Sequence, residues 1–259
     1  MGDTAPQQRP PGSIAAEPYD YPHDASFGPE TTALVVIDMQ RDFCEVGGYF
    51  DCQGYDVEDA RALIPTIQAL LAAARKASFP IFFTREGEKH LLKNQVLLLI
   101  DSSAGHRPDL STLSSRERFR SRNNPRNLGI GDQGPLGRFL IRGEPGHDVI
   151  PELRRLPSEV IIDKPGRGAF AHTDFEHLLR IRGIRNLVLC GVTTDVCVST
   201  TMREANDRGF DCLLLVDATA AATTQLHDAT IESVKMEGGI FGAVAHSRDV
   251  IDAMGHFAS

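Results

Sequence analysis

The chain has no tryptophan, no excess of positive charge and no long apolar run. Its 27 Lys and Arg residues stand against 35 Asp and Glu residues, and the net charge of −8 gives no general attraction to nucleic-acid phosphates or anionic lipid surfaces. Apolar runs such as residues 96–100 and 187–190 are far shorter than the roughly 20 residues of a membrane helix. We therefore expect no nucleic-acid partner and no membrane partner.

Cysteine is sparse, and its spacing is uninformative about metal or disulfide chemistry. The five cysteines form neither Cys-x-x-Cys pairs nor the dense, even framework of small secreted domains. No secretory apolar segment follows the first methionine. These features predict reduced thiols and a cytoplasmic protein.

The composition changes along the chain and divides it into an arm and one domain. Residues 1–30 are rich in proline and poor in apolar side chains, which predicts a flexible N-terminal arm. Residues 31–259 are long enough for a single domain with a substantial core. Within this domain, residues 111–145 are rich in Arg, Gly, Asn and Pro and long enough to form a lid.

From residue 33 onward, short apolar runs alternate with stretches of helical periodicity. Strands are predicted at residues 33–38, 80–85, 160–164, 186–191, 212–217 and 243–246, and helices at 57–77, 173–182, 197–208 and 227–237. Strands that are apolar throughout are buried on both faces, so helices must cover both sides of the sheet. The fold class is therefore α/β, a doubly wound, mostly parallel six-stranded sheet with helices on both faces.

Three reactive side chains lie where predicted strands end: Asp38, Lys164 and Cys197. The carboxyl ends of parallel strands share one edge, where ligands bind. A helix N-terminus and the Lys164 cation would lower the pKa of the Cys197 thiol, and Asp38 could take its proton. Attack on an amide would then give a thioester, with backbone N–H groups of residues 192–197 stabilising the oxyanion.

The motifs around these side chains resemble those of a known superfamily, the isochorismatase-like cysteine hydrolases. The stretches VVIDMQRDF (residues 35–43), DKP (163–165) and GVTTDVC (191–197) match its Asp, Lys and Cys motifs position for position. The resemblance implies that Asp38 is the general base, that Lys164 orients and activates, and that Cys197 is the nucleophile. It also implies a cis peptide between Val192 and Thr193, which form the oxyanion turn together with Cys197.

The resemblance further bears on metal, cofactor and oligomeric state. Nicotinamidases of this superfamily hold a metal through Asp and His residues, including a Trp-His pair after the second strand. This chain has no tryptophan, and its second predicted strand runs into TREG at residues 84–87. We therefore expect neither metal nor cofactor, and the resemblance implies a homodimer or homotetramer.

Four further stretches, residues 106–110, 129–138, 142–148 and 163–170, are most similar to the biuret amidohydrolase branch and its triuret-hydrolysing relatives. The implied function is hydrolysis of a carbon–nitrogen bond in a small ureido compound, biuret by preference, with release of ammonia. Ureidoacrylate, triuret or another linear amide are alternative substrates. A catalytically silent family member with a binding or assembly role is the non-enzymatic alternative.

The resemblance assigns Phe43, His106, Arg107, Arg167 and Glu237 to substrate binding, with three departures from the family pattern. Arg167 replaces a lysine, which keeps the charge but presents a planar fork of donors. Glu237 replaces a glutamine and, if it faces the pocket ionised, would favour ligands that present N–H groups. The alternative is that Glu237 points to solvent. Residues 88–105 form an apparent insertion.

Overall fold

The computed structural model describes residues 12–88 and 123–258. Its strands are β1 (Thr32–Ile37), β2 (Ile81–Glu86), β3 (Gln133–Gly134), β4 (Gly137–Arg138), β5 (Val160–Lys164), β6 (Asn186–Val192), β7 (Asp211–Ala220) and β8 (Ala243–Ala245). β3 and β4 form a small antiparallel hairpin, whereas the others make one parallel sheet in the order β5-β2-β1-β6-β7-β8. The predicted six-stranded parallel sheet is confirmed.

Helices cover both faces of this sheet. They are α1 (Arg41–Cys44), α2 (Tyr49–Cys52), α3 (Glu58–Ala62), α4 (Ile64–Lys76), α5 (Phe175–Arg180), α6 (Ser199–Asn206), α7 (Thr224–Gly239) and α8 (Ser247–Gly255). A π-helical turn, Thr194–Val198, directly precedes α6. Among the described helices, none combines the length and apolarity needed to cross a membrane.

Strand β1 shows why the sheet needs cover on both sides. Leu34 and Val36 belong to the core with α3, α4 and α8, while Ala33, Val35 and Ile37 belong to the core with α5, α6 and α7. Successive side chains of a strand point to opposite faces, and here every one of them is buried. This explains the uninterrupted apolar run in the sequence.

The connection from β5 to β6 reverses the direction in which the sheet grows. The chain first builds outward from β1 to β2 and β5, then returns to place β6 beside β1. Such a switch point leaves a crevice beyond the carboxyl ends of the two central strands. Gly191 permits their close approach, because its φ is 110° and a Cβ there would collide with the carbonyl oxygen of Ile37.

The described part of the N-terminal segment, residues 12–30, differs from the flexible arm that the composition predicts. Ile14, Tyr21 and Phe27 are buried in the core. Glu17 also exchanges two backbone hydrogen bonds with Val244, at 2.9 and 2.8 Å, and so covers the outer edge of β8. The prolines are interleaved with enough apolar side chains to pack, and an exposed sheet edge gains a partner.

Only Glu88 of the apparent insertion, residues 88–105, lies within the described residues. Its N–H donates to the carbonyl of Leu140, and its own carbonyl accepts from the N–H of Arg142. Phe139, Leu140 and Ile141 are buried and pack against Tyr49. The described part of the predicted lid, residues 123–145, therefore packs against the carboxyl edge of the sheet.

Candidate active site

Three of the predicted side chains converge at the switch point. Asp38 directly follows β1, Lys164 is the last residue of β5, and Cys197 lies on the π-helical turn after β6. The ammonium Nζ of Lys164 is 2.7 Å from Oδ2 of Asp38. The Sγ of Cys197 and carboxylate oxygens of Asp38 and Glu86 all lie within 4.8 Å of one another.

Glu86 is the fourth member of this cluster, and the sequence-based prediction omits it. It ends β2 directly opposite Lys164 of β5. Its Oε2 accepts a hydrogen bond from the Cys197 thiol at 3.3 Å and lies 3.4 Å from Nζ of Lys164. The sequence could have revealed it, because Glu86 lies at the carboxyl end of a strand, as Asp38 and Lys164 do.

Asp38 lies in the interior of the protein. Its backbone has a φ of 49°, and its side chain is fully buried. The hydroxyl of Thr84 donates to Oδ1 at 2.6 Å, while Oδ2 faces the Lys164 ammonium. Each carboxylate oxygen of Asp38 thus has its own neighbour.

The cluster contains two carboxylates and one ammonium in a buried environment. Burial raises the pKa of Asp38, although the cation of Lys164 opposes the rise. Burial alone would lower the pKa of Lys164, but the charges of Asp38, Cys197 and Glu86 outweigh it and raise that pKa as well. Both shifts favour the protonated form, as expected where negative charge is in excess.

The pKa of the Cys197 thiol is shifted in the opposite direction to the one predicted from the sequence. Its side chain is 5% exposed, and burial raises its pKa well above the ordinary value. Lys164 does lower the pKa, as predicted, but the carboxylates of Asp38 and Glu86 add to the effect of burial. Together these shifts favour the protonated form of the Cys197 thiol.

The turn that carries Cys197 has an unusual backbone. The peptide bond between Val192 and Thr193 is cis, as the resemblance implies. The carbonyl of Thr193 accepts from the N–H groups of both Val196 and Val198, each at 3.1 Å. In this π-helical turn, Sγ of Cys197 points toward Glu86 and lines the cavity beside the cluster.

A cavity of about 340 Å³ opens next to Cys197. The rings of Phe43, Tyr49, Phe50 and Tyr55 line it, together with the polar side chains of Gln53, Glu86, Arg167, Asp195 and Thr223. Val192 and Thr193 also lie in its wall. Among the predicted substrate-binding residues, Phe43 and Arg167 are therefore at the cavity, and Nε of Arg167 is 3.9 Å from Oε1 of Glu86.

Comparison with known proteins agrees with this architecture. The isochorismatase domain model matches residues 32–248, which is most of the chain. The chain belongs to the isochorismatase family. This confirms the superfamily that the three motifs indicate.

Curated relatives of this isochorismatase-family chain include two ureidoacrylate amidohydrolases. The enzyme of Pantoea ananatis is 30% identical over 89% of this chain and 86% of its own length, and that of Acinetobacter baylyi is 28% identical over 91% and 88%. A crystal structure of a cysteine hydrolase from Pseudomonas syringae pv. phaseolicola has a TM-score of 0.70 and 26% identity, covering 89% of this chain and 95% of that one. The predicted class, a hydrolase of carbon–nitrogen bonds in linear amides, is confirmed.

The remaining predicted residues of this isochorismatase-family site do not reach the cavity or are not described. Glu237 is exposed to solvent at a kink inside α7, where its φ is 54°, and it is absent from the cavity lining. The left-handed backbone at residues 237–238 turns the chain outward, so the solvent-facing alternative holds. His106 and Arg107 lie outside the described residues.

The carboxylates of Asp38 and Glu86 and the thiol of Cys197 form the group of potential metal ligands within the described residues. The ammonium of Lys164, however, lies 2.7 Å and 3.4 Å from these two carboxylates, where a cation would bind. The cluster thus carries its own cation and does not suit a metal ion. The absence of a metal requirement stays a prediction.

Proposed function

We propose that this enzyme of the isochorismatase family hydrolyses a carbon–nitrogen bond of a small ureido compound, with biuret as the preferred substrate, through a thioester on Cys197. The observation that carries the proposal is the position of Sγ. It lines the cavity, contacts Glu86 at 3.3 Å and lies beside the ion pair of Asp38 and Lys164. A nucleophile, a proton acceptor and a cation are the groups that amide acylation of a thiol needs.

In the acylation step, Sγ of Cys197 bonds to the substrate carbonyl carbon while its proton passes to Asp38. The ammonium of Lys164 stabilises the negative charge that develops on sulfur. Backbone N–H groups of Thr193 and Cys197 bind the oxyanion in this proposal. Collapse of the tetrahedral intermediate breaks the carbon–nitrogen bond, and the proton held by Asp38 goes to the nitrogen, which leaves as ammonia.

In the deacylation step, water attacks the thioester carbonyl and the carbon–sulfur bond breaks. The acid is released, and the thiol regains a proton. Water must therefore enter the cavity after ammonia leaves. The opening beside Cys197, lined by Thr223 and Leu226 at its α7 side, supports such an exchange.

The charges that line the cavity support a neutral substrate. Among the described lining residues, Glu86 and Asp195 present carboxylates and Arg167 presents a guanidinium. Asp195 lines the cavity, and a carboxylate in that position can accept hydrogen bonds from a ligand that donates N–H groups. Biuret is uncharged and carries N–H groups along its whole length. The volume, at the lower end of the usual range for small-molecule sites, also suits a small ligand.

Ureidoacrylate is the second candidate, favoured by the names of curated relatives such as those of Pantoea ananatis and Acinetobacter baylyi. The guanidinium of Arg167 in the cavity wall could pair with its carboxylate. Glu86, 3.9 Å from Nε of Arg167, and Asp195 would oppose that binding by repulsion.

An ammonia-release screen of biuret, triuret, ureidoacrylate, carbamoylsarcosine and nicotinamide tests the choice of substrate. We expect the largest kcat/KM for biuret and a lower value for the anionic ureidoacrylate. Turnover of another compound in the series without turnover of biuret refutes the choice of substrate but leaves the class of reaction intact.

Replacing Cys197 with alanine tests the nucleophile and excludes a silent family member at the same time. We expect Cys197→Ala to abolish ammonia release in a folded protein. The matched control is Cys212→Ala, another buried thiol, which lies in β7 away from the cavity lining and should keep its activity.

Two further expectations accompany this function. We propose a homodimer or homotetramer, to be measured by size-exclusion chromatography with light scattering. We also propose a cytoplasmic enzyme with reduced thiols, consistent with the fact that all its cysteines are free. Cell fractionation tests the location.

A further inference from the structure

We propose that Glu86 is a second acid–base residue of this enzyme: it activates the water that hydrolyses the thioester and returns the proton to Cys197. This inference rests on the proposed function, because it requires a thioester on Cys197. It separates the work of two carboxylates, with Asp38 acting in acylation and Glu86 in deacylation.

Asp38 is poorly placed to activate water. Its Oδ1 accepts from the hydroxyl of Thr84 at 2.6 Å, and its Oδ2 lies 2.7 Å from the Lys164 ammonium. The side chain is fully buried and does not line the cavity. Asp38 can receive a proton from the neighbouring thiol. A water molecule in the cavity, however, contacts the side chains that line the cavity and not Asp38.

Glu86 is placed between the nucleophile and the cavity. Its Oε2 accepts from Sγ of Cys197, whereas its Oε1 faces Nε of Arg167 at 3.9 Å. Glu86 lines the cavity and keeps 6% of its surface exposed. A water that approaches the thioester from the cavity therefore comes within reach of this carboxylate, and the sulfur that must be reprotonated already contacts it.

A side-chain clamp holds Glu86 in this position. Oε1 of Gln40 accepts from the backbone N–H of Glu86 at 2.7 Å, and Nε2 of Gln40 donates to the Glu86 carbonyl at 3.0 Å. The same Nε2 donates to the carbonyl of His147 at 2.9 Å. With its backbone bound on both sides, Glu86 keeps its carboxylate against Sγ, as a positioned base requires.

The step balances in protons and bonds. Glu86 takes one proton from water as the oxygen bonds to the thioester carbon. The tetrahedral intermediate then expels sulfur as thiolate, and the carbonyl re-forms as part of the product acid. Protonated Glu86 passes its proton to Sγ of Cys197, so both groups return to their resting forms. No metal or cofactor takes part in the step.

The variant Glu86→Gln tests the proposal, because glutamine keeps the shape and an acceptor oxygen but cannot take up a proton. The substrate is the compound that the ammonia screen turns over fastest, biuret by expectation. Rapid-quench assays measure ammonia in the first turnover, and intact-protein mass spectrometry detects the acyl-enzyme. We expect one ammonia per site at a nearly unchanged rate, accumulation of the acyl-enzyme, and a steady-state rate lower by about 100- to 10,000-fold.

Glu159→Gln is the matched control. Glu159 is a similarly buried carboxylate, paired with Arg75 at 2.8 Å near the opposite end of β5. We expect this variant to keep both the first-turnover rate and the steady-state rate of the wild type. Urea unfolding of both variants establishes that they are folded. If Glu86→Gln folds poorly, Glu86→Asp replaces it, because aspartate keeps a proton acceptor but on a shorter side chain. We expect Glu86→Asp to retain part of the deacylation rate.

Two results overturn the role of Glu86: loss of the burst in parallel with the steady-state rate, or unchanged turnover in folded Glu86→Gln. Neither result tests the role of Cys197 as nucleophile, which is tested by comparing Cys197→Ala with the wild type. Cys197→Ala that still releases ammonia contradicts the proposed function itself.

Discussion

Replacing Lys164 with methionine removes the ammonium that lies between two buried carboxylates while keeping the length of the side chain. At an effective dielectric constant of about 20, Nζ attracts Oδ2 of Asp38 at 2.7 Å by about 6 kcal/mol and Oε2 of Glu86 at 3.4 Å by about 5 kcal/mol. The cost of burying these charges offsets most of that attraction. We therefore expect Lys164→Met to lose about 3–5 kcal/mol of unfolding free energy, the usual effect of removing one partner from a buried pair.

This loss should depend on pH. Burial raises the pKa of Asp38 even with Lys164 present, and the variant adds repulsion from Glu86 without a compensating ammonium. The folded variant then binds a proton more tightly than the unfolded chain does. Its stability is present at low pH and is lost as the pH rises through the raised pKa of the folded state.

Urea unfolding followed by circular dichroism at pH 5 and pH 8 measures both effects. We expect the full difference between wild type and Lys164→Met at pH 8 and a smaller difference at pH 5. Lys235→Met serves as the control, because its ammonium pairs with Glu232 at the surface of α7, and it should match the wild type at both pH values. An equal loss at pH 5 and pH 8 would refute the electrostatic reasoning.

Three other substitutions probe the surroundings of the site. Gln40→Ala leaves the backbone N–H and carbonyl of Glu86 without their clamp, so urea unfolding should show a loss of about 1–3 kcal/mol, and undiminished stability contradicts the clamp. Gly191→Ala meets the backbone of β1, so thermal unfolding should show a loss above about 2 kcal/mol, whereas Gly209→Ala, with positive φ but open space, should lose less. Burial raises the pKa of Asp42 to about 6, so its contribution to stability is present below its unfolded pKa and is lost, by about 3 kcal/mol, as the pH rises through 6. Asp42→Asn should remove this step from urea titrations between pH 4 and 7, and an unchanged pH profile contradicts the assignment.

Most of the sheet could be predicted because its strands are apolar without interruption. The predicted strand at residues 160–164 agrees with β5, and most other predicted ends differ from the observed ones by one residue. β7 is longer than predicted, since Thr219 and Ala220 pair with the end of β6 after a register shift that no local pattern reveals. The single helix predicted at residues 57–77 is divided into α3 and α4, and α4 begins at Ile64 with Pro65 in its first turn.

The site was predictable to the extent that it follows strand ends. Asp38, Lys164 and Cys197 lie at such ends, and the structure brings them together. Glu237 was left between two alternatives, because the sequence does not show the side on which the chain leaves α7 at the left-handed residues 237 and 238. The pKa of Cys197 was predicted in the wrong direction, because the lysine was considered but the degree of burial was not visible in the sequence.

The switch point between β1 and β6 also divides the chemistry between two halves of the polypeptide. β1, β2 and β5 supply the carboxylates and the ammonium, and β6 with its π-helical turn supplies the thiol. The Asp38 and Glu86 carboxylates and the Lys164 ammonium lie on one side of this boundary, and the Cys197 thiol lies on the other. Activity regained during refolding therefore reports that the halves have docked in register, which recovery of helix content alone does not.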